Sequence, residues 1–310
     1  MADFPLRSRG VYHGEVHPSN KRNSTGIITR ESPGVDTRAA APYSRGMALA
    51  KVSLGAVTVS RLAIGGNPFS GFSHQGPARD REMRRWYTTA RIKEALRRAE
   101  AAGITTLFAR ADNHVMRLLE EYWDEGGTIQ WFAQTAPELG TLLRGVEMAV
   151  GGGAKAVYVH GGVMDRLLAV GKLDEVPPAI ERIRRAGLAA GVAGHDPRVF
   201  EWAEKNLDCD FYMCSYYNPI ARTQSGEHRP GQQDSFDPAD REAMVRTIAR
   251  LSKPAIHYKV MAAGRNDPRE ALQFVARHLR PEDAVCIGFF TQAAPNAIEE
   301  DLRLLEEALA

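Results

Sequence analysis

Side chains that can move protons recur along this chain, each at the end of a short apolar run or within a few residues after it. His114, His160 and His195 have this placement, and Lys259 ends a fourth run. Histidine changes its charge near neutral pH and is the commonest general acid or base. A lysine next to apolar residues binds anions, transfers protons or forms a Schiff base when it is functional. A salt bridge from Lys259 to a loop carboxylate is the structural alternative.

Further polar and aromatic residues follow the same apolar runs, so they belong to the same predicted site. The candidate catalytic residues are His160, His114, Lys259 and Asp112. The candidate substrate-binding residues are Arg110, Gln134, His195, Cys214, Tyr217 and Asn67. Asp112 has an equally good structural explanation, since it can cap a helix that begins near Asn113.

The elements that must position these residues form a regular series. Eight predicted strands cover Arg61–Gly65, Ile104–Ala109, Ile129–Ala133, Ala154–His160, Leu188–Ala193, Asp210–Ser215, Ala255–Lys259 and Ala284–Phe289. Eight predicted helices cover Ala90–Ala102, Asn113–Asp124, Pro137–Val150, Asp174–Ala186, Pro197–Asn206, Pro238–Leu251, Asp267–Leu279 and Pro295–Leu309. Strict alternation is typical of an α/β protein with parallel strands. Eight units favour a closed (β/α)8 TIM barrel over a doubly wound open sheet.

The barrel prediction selects one end of the molecule for the site, because active sites of this fold lie at the carboxyl ends of the strands. Alternation places Val157 and Val159 toward the helices and sends His160 inward. The same rule applied to the seventh strand places Ile256 outward and sends both His257 and Lys259 inward. We therefore expect His114, His160, His195 and Lys259 to converge on one cavity. A β-hairpin over 51–60 is expected to cover the opposite end of the barrel.

Composition narrows the class of protein. The 310 residues are 44% hydrophobic and carry a net charge of +2, which predicts a folded protein that binds a small-molecule substrate rather than nucleic acid or a membrane surface. We find no long apolar span, and three cysteines without metal-type spacing predict reduced thiols and a cytoplasmic protein. Residues 1–46 are polar and aperiodic, which predicts a flexible arm before a barrel domain over 47–310. The sequence carries no signal for the oligomeric state.

Several segments resemble the aldo-keto reductases. VTVSRLAIGGNPFSGF (Val57–Phe72) is similar to the opening hairpin and first strand of that family, and GITTLFARADNH (Gly103–His114) to its second-strand segment. VYVHGGVMD (Val157–Asp165) is similar to the segment that carries the family's histidine. Further similarity runs through GVAGHDP, YYNP, KPAIHYKVMAAGR and the final strand and helix, and so covers about residues 50–310. The resemblance implies a TIM barrel.

The resemblance also implies a changed reaction centre. The family uses an Asp, a proton-donating Tyr, a Lys and a His. Matched by position, the Asp falls on Ala109, the Tyr on His114 and the Lys on Gln134 or Thr135, so that only the histidine is kept, as His160.

The family's contacts to the nicotinamide cofactor are changed as well. Its Ser-Asn pair falls on Ala193 and Gly194, and its Gln falls on Met213. In the last helix Arg303 stands after the position of the arginine that clamps the 2′-phosphate of NADPH. We infer that the hydride-transfer apparatus has been replaced.

Four functional hypotheses remain. The first is a barrel enzyme that acts on a small polar or carbohydrate-like molecule by His/Lys acid–base chemistry. The second, implied by the resemblance, is an NADPH-dependent carbonyl reductase with NADP as cofactor and His114 in place of the Tyr. The third is an isomerase or lyase with a divalent metal held by His160, His195 and Asp112. The fourth is a non-catalytic binding barrel.

Overall fold

A closed parallel barrel and a separate hairpin account for all strands of the computed structural model, which describes residues 49–220, 226 and 234–310. The hairpin strands are β1 (Lys51–Leu54) and β2 (Val57–Ser60), and they pair antiparallel. The barrel strands are β3 (Leu62–Gly65), β4 (Thr106–Arg110), β5 (Gln130–Gln134), β6 (Ala156–Val159), β7 (Ala189–Gly194), β8 (Phe211–Ser215), β9 (Ala255–Tyr258) and β10 (Ala284–Ile287). They follow one another around the ring in chain order, and β10 pairs with β3. The predicted eight-stranded TIM barrel with its hairpin is confirmed, whereas the predicted arm lies outside the described residues.

Ten α-helices occur in the described part of the chain, two more than predicted. They are α1 (Pro77–Trp86), α2 (Thr89–Ala101), α3 (Asn113–Asp124), α4 (Leu142–Gly151), α5 (Gly161–Ala169), α6 (Pro177–Arg185), α7 (Pro197–Asn206), α8 (Pro238–Ile248), α9 (Pro268–His278) and α10 (Ala297–Leu309). The helices missing from the prediction are α1, which buries only Asp80 and Met83, and α5, which starts with two glycines. The helix predicted over 137–150 splits into a short 3-10 turn, Pro137–Leu139, and α4.

Local chemistry fixes the ends of several helices as expected. The Asp196 carboxylate accepts the amide N–H of Arg198 at 2.9 Å, and a proline follows it at the first helical position of α7. Asp237 does the same for α8. Gly103 and Gly187 end α2 and α6 with left-handed φ angles of +86° and +74°.

Aromatic rings fill the inside of the barrel and leave only its carboxyl end open. Phe108, Phe132, Tyr158 and Phe211 point inward from β4, β5, β6 and β8, and the centroids of the rings in contact lie 5.0–6.3 Å apart. The buried hairpin residues Val52, Leu54 and Val59 belong to the same cluster, so the hairpin closes the amino end as predicted. Burial of its ring raises the pKa of Tyr158 well above the usual tyrosine value.

The facing predicted for the seventh barrel strand, β9, is wrong. Ile256 packs inside the barrel, and His257 lies on the helix side, where its Nε2 is 3.2 Å from Asp283 and its Nδ1 2.9 Å from the Tyr216 hydroxyl. The buried carboxylate also accepts the Ala255 amide N–H at 2.7 Å, which holds the start of β9 in this register. Tyr258 therefore faces inward. Among the described residues, no helix combines the length and apolar character needed to cross a membrane.

Candidate active site

A cavity of about 300 Å³ occupies the carboxyl end of the barrel. Its walls come from the segments that follow five of the barrel strands and from the ends of three of those strands, and they are rich in histidine. The lining residues are Asn67, Phe72, His74, Arg110, Gln134, Pro137, Glu138, His160, Gly161, His195, Tyr258 and Lys259. The predicted residues Asn67, Arg110, Gln134, His160, His195 and Lys259 are thus brought together.

One side of the cavity contains a chain of three polar groups, of which Asp165 and His195 are buried and Tyr258 is partly exposed. The carboxylate of Asp165, on α5, lies 2.6 Å from Nδ1 of His195, and Nε2 of His195 lies 3.4 Å from the hydroxyl of Tyr258. The other oxygen of Asp165 accepts the amide N–H groups of His195 and Asp196 at 3.0 and 3.1 Å. This carboxylate therefore fixes both the backbone and the ring of His195.

The direction of the hydrogen bonds in this chain follows from what each group can donate. An ionised carboxylate only accepts, so the proton of a neutral His195 is on Nδ1 and points at Asp165. Its Nε2 is then an acceptor, and the Tyr258 hydroxyl is the donor. The arrangement prepares His195 to take the phenol proton, and the resulting imidazolium would be stabilised by Asp165.

A second hydrogen-bonded chain, again of a carboxylate, a histidine and a side chain in the cavity, ends at Lys259, the residue after Tyr258. The Asp234 carboxylate is 2.9 Å from Nδ1 of His74, and Nε2 of His74 is 2.7 Å from Nζ of Lys259. Both His74 and Asp234 are largely buried, with side chains 10% and 3% exposed. By the same reasoning, His74 donates to Asp234 and accepts from the Lys259 ammonium.

The backbone at this contact is in an unusual conformation. His74 and Lys259 have φ angles of +56° and +58°, in the left-handed region that residues other than glycine rarely occupy. Such conformations persist where surrounding contacts enforce them, and they cluster at functional sites. Asp80 supplies one such contact, since its Oδ1 accepts both the amide and the hydroxyl of Ser73. The positive φ of Lys259 also ends the strand alternation and lets its side chain enter the cavity beside Tyr258.

The remaining polar walls come from β4 to β6. Arg110, the last residue of β4, has a side chain that is 10% exposed and pairs with Asp112 and Glu138. The His160 amide donates to the Thr135 hydroxyl at 3.0 Å, which ties the end of β6 to the residue after β5. His160 lines the cavity, as the alternation in β6 predicted.

Two residues after β4 are placed differently from the expectation. Asp112 is the N-cap of α3 and accepts the Val115 amide at 2.9 Å, which is the structural alternative noted for it. His114, in the first turn of α3, is exposed to solvent. The chain turns into this helix directly after Asp112, which carries His114 away from the cavity lining.

Two residues around the end of β8 also lie apart from the cavity. Cys214 is on the helix side of its strand, where burial raises the pKa of its thiol well above the usual value. Tyr217 is buried against Phe236, and its hydroxyl accepts a hydrogen bond from the Asn266 side chain at 2.8 Å. Alternation explains Cys214, because its neighbour Met213 faces the interior.

Several residues of the cavity and of its supports were not predicted from the sequence, and three of them show why. Tyr258 was missed because β9 was given the opposite facing. Asp165 was missed because α5 carried no helix-start signal, although its spacing of five residues from His160 was visible. Asp234 precedes the N-cap of α8 by three residues and contacts a residue 160 positions away, so no local pattern indicates its partner.

The comparisons with known proteins rest on structure. No protein-family model matches the sequence, and no curated protein is similar to it in sequence. A Pseudomonas aeruginosa protein described as an aldo-keto reductase has a TM-score of 0.57 and 17% identity, over 84% of this chain and 95% of its own. This chain has an aldo-keto reductase-like barrel.

Two other solved structures show how far this likeness extends. A protein described as a 2,5-diketo-D-gluconic acid reductase B has a TM-score of 0.53 and 12% identity, over 84% of this chain and 89% of its own. A truncated 3-deoxy-D-arabino-heptulosonate 7-phosphate synthase from Thermotoga maritima has a TM-score of 0.51 and 10% identity, over 84% and 90%. Enzymes with different reactions thus share the barrel, and the fold alone does not select one of them.

The residues present do not fit a nicotinamide in the aldo-keto reductase manner. A buried carboxamide needs hydrogen-bonding partners, and the positions that resemble the family's polar contacts hold Ala193, Gly194 and Met213. Ala193 and Met213 pack inside the barrel.

The three proposed metal ligands do not converge on one point, although His160 and His195 both line the cavity. Asp112 caps α3, and His195 is held by Asp165 and Tyr258. Within the described ranges, no group of three or more His, Cys, Asp or Glu residues has an arrangement that could hold a metal ion.

Proposed function

We propose that this barrel is an enzyme that transfers protons to and from a small polar, carbohydrate-like substrate, with Tyr258 and Lys259 as the groups that meet it. The observation that carries the proposal is the pair of carboxylate–histidine units that end on these two consecutive residues in one cavity. Each unit has a buried carboxylate, a histidine oriented by it, and a side chain that lines the cavity. Buried acid–base groups with fixed partners at the mouth of a TIM barrel are typical of a reaction centre.

The geometry suits abstraction of a proton next to a carbonyl group. In this step the Tyr258 oxygen takes the proton from the substrate carbon while its own proton moves to Nε2 of His195. The electron pair of the broken C–H bond passes to the carbonyl oxygen, and the ammonium of Lys259 stabilises the enolate that forms. In an α-hydroxy carbonyl compound, return of the proton to the former carbonyl carbon, while the hydroxyl proton passes to the enolate oxygen, gives an isomerisation. Departure of a leaving group from the β carbon, protonated by the histidine that took the phenol proton, gives an elimination.

The reductase and metal hypotheses fit the site less well. A reductase with His114 as the proton donor would need that side chain in the cavity, and it is exposed on α3. A metal enzyme using Asp112 would have to release that residue from its capping bond. Tyr258 could donate a proton from a different strand than the family's Tyr. However, the polar residues that would bind the nicotinamide are replaced by Ala193, Gly194 and Met213.

The test measures proton exchange directly. A panel of small hydroxy-aldehydes, hydroxy-ketones and sugar acids is incubated with the protein in D2O, and proton NMR follows deuterium entry next to the carbonyl group. We expect exchange with at least one compound without added cofactor. Tyr258→Phe removes one hydroxyl and should slow this exchange by about 10²- to 10⁴-fold, the usual contribution of a positioned acid–base group. Lys259→Met should also slow it.

Matched controls come from similar residues outside the cavity. Tyr122→Phe removes a hydroxyl that donates to Glu100 at 2.6 Å, and Lys93→Met removes an ammonium paired with Glu121 and Glu125. Both should keep the wild-type exchange rate per folded molecule. The proposal fails if no compound exchanges, if Tyr258→Phe exchanges as fast as the controls, or if exchange begins only when NADPH is added. The last result, with NADPH binding by fluorescence titration, would favour the reductase.

A further inference from the structure

Arg110 has the surroundings of a built anion site. It is the last residue of β4 and points into the barrel, where its guanidinium lies 4.9 Å from the centre of the Phe72 ring. Its Nε is 3.4 Å from the Asp112 carboxylate, which itself is held as the cap of α3. A guanidinium that is stacked on a ring and fixed at Nε presents its other edge in a defined plane, which suits a two-oxygen anion.

Glu138 of the same chain already contacts this guanidinium at Nη2. The contacting atom is its Oε1, and its side chain is 51% exposed. It lies on the short 3-10 turn Pro137–Leu139, which ends at Gly140 with a φ of +87°. The partners differ in exposure, because the barrel wall encloses the arginine, whereas the glutamate reaches in from a surface turn.

We propose that Arg110 anchors a carboxylate of the substrate and that Glu138 holds this position until the substrate displaces it. This inference rests on the proposed function and narrows its substrate class to small carboxylic acids such as sugar acids. Glu138 is itself a carboxylate, so the site already accepts the group that the substrate would present. Displacement of Glu138 by the substrate has a small free-energy cost for two reasons. The exposed glutamate is hydrated again when it leaves, and the guanidinium keeps a carboxylate partner throughout.

If Glu138 competes with ligands for Arg110, its removal should change ligand affinity in a specific direction. The apparent dissociation constant of a ligand rises when its site is filled by a group of the protein itself. Removing the charge of Glu138 should therefore tighten the binding of a small carboxylate, whereas removal of an ordinary binding residue would weaken it. A cavity of about 300 Å³ is at the small end of ligand pockets, so a short dicarboxylate is a suitable probe.

The experiment is calorimetric titration of malonate into the full chain and its variants. Glu138→Gln should bind malonate on the order of three- to tenfold more tightly than wild type, which is the range expected for a partly exposed ion pair. Arg110→Met should weaken binding at least tenfold. Arg110→Lys, which keeps the charge but not the planar fork, should weaken malonate too, and covers the case in which Arg110→Met fails to fold. The neutral analogue malonamide should bind no variant more tightly than wild type.

The matched control is Glu147→Gln, which breaks a surface ion pair with Arg182 at 2.7 and 2.8 Å and should leave malonate binding unchanged. The inference is overturned if Glu138→Gln binds malonate no more tightly than wild type, or if inorganic phosphate binds more tightly than malonate. Titration of Tyr258→Phe separates this inference from the proposed function. If malonate binds as described but no compound exchanges deuterium, Arg110 is a carboxylate site and the proposed reaction is wrong. If deuterium exchange occurs but malonate does not bind as described, only the proposed role of Arg110 is wrong.

Discussion

Replacement of Asp165 by Asn tests whether the chain from Asp165 through His195 to Tyr258 sets the direction of proton transfer. The amide oxygen of Asn can still accept the two backbone N–H groups that now lie 3.0 and 3.1 Å away. Its NH2 group then faces Nδ1 of His195, where the carboxylate oxygen stands at 2.6 Å. Two N–H groups cannot face each other at that distance, so the imidazole must carry its proton on Nε2 instead. Nε2 then points a donor at Tyr258.

The expected magnitude follows from what this exchange removes. His195 can no longer accept the phenol proton, so deuterium exchange should fall about 10²- to 10⁴-fold, the range for loss of a general acid–base step. The fold should lose only about 1–2 kcal/mol, because one charge-assisted hydrogen bond is weakened and the backbone bonds stay. A large loss of rate with a small loss of stability is therefore the signature.

The assay pairs the exchange rate with the tautomer of His195, read from a nitrogen–proton correlation spectrum, and with a thermal melt. Asp283→Asn is the matched control, since Asp283 also contacts a buried histidine, His257, but on the helix side of β9. It should reduce stability and keep the rate per folded molecule. A reversed tautomer in Asp165→Asn together with a rate within about threefold of wild type would refute the reasoning, since the general acid–base contribution should exceed that.

Two further predictions use other parts of the structure. A Cβ added at Gly161 would lie 3.1 Å from both the ring of His195 and the hydroxyl of Tyr258, so Gly161→Ala should slow exchange, whereas Gly151→Ala, where a Cβ meets nothing within 4 Å, should not. Burial, together with the nearby negative charge of Glu300, raises the pKa of Asp301 to about 6, so its ionised form opposes folding above that pH. Asp301→Asn should thus stabilise the protein at pH 7.5 by about 1–2 kcal/mol, with the gain disappearing as the pH falls through 6 toward 4 in urea titrations. An equal gain at pH 4.5 and pH 7.5 would argue against buried charge as its cause.

The fold was predictable because its signals are local and repeated. Aspartate followed by proline marked the starts of α7 and α8, and Gly103 and Gly187 marked helix ends. Each apolar run was long enough to be recognised as a strand, and the eightfold alternation then fixed the architecture. The helices α1 and α5 escaped because neither has the apolar stripe and start signal on which such recognition depends.

The candidate site was predictable only where side chains continue the alternation of a strand. His160 follows Val157 and Val159 in this way, and it lines the cavity. Lys259 reached the cavity for a different reason, since its left-handed φ reverses the direction that alternation would give it. The partners Asp165 and Asp234 act across 30 and 160 residues, and such pairings are set by tertiary structure rather than by sequence pattern.

The double variant Tyr258→Phe/Asp165→Asn tests whether Asp165, His195 and Tyr258 work as one proton-transfer unit. Groups that act in one step are strongly non-additive, so removing the second adds little once the first is gone. We expect the double variant to exchange deuterium within about threefold of the rate of Tyr258→Phe alone, with both far below wild type. A double variant whose loss equals the product of the two single losses would show that the residues act independently and not as one unit.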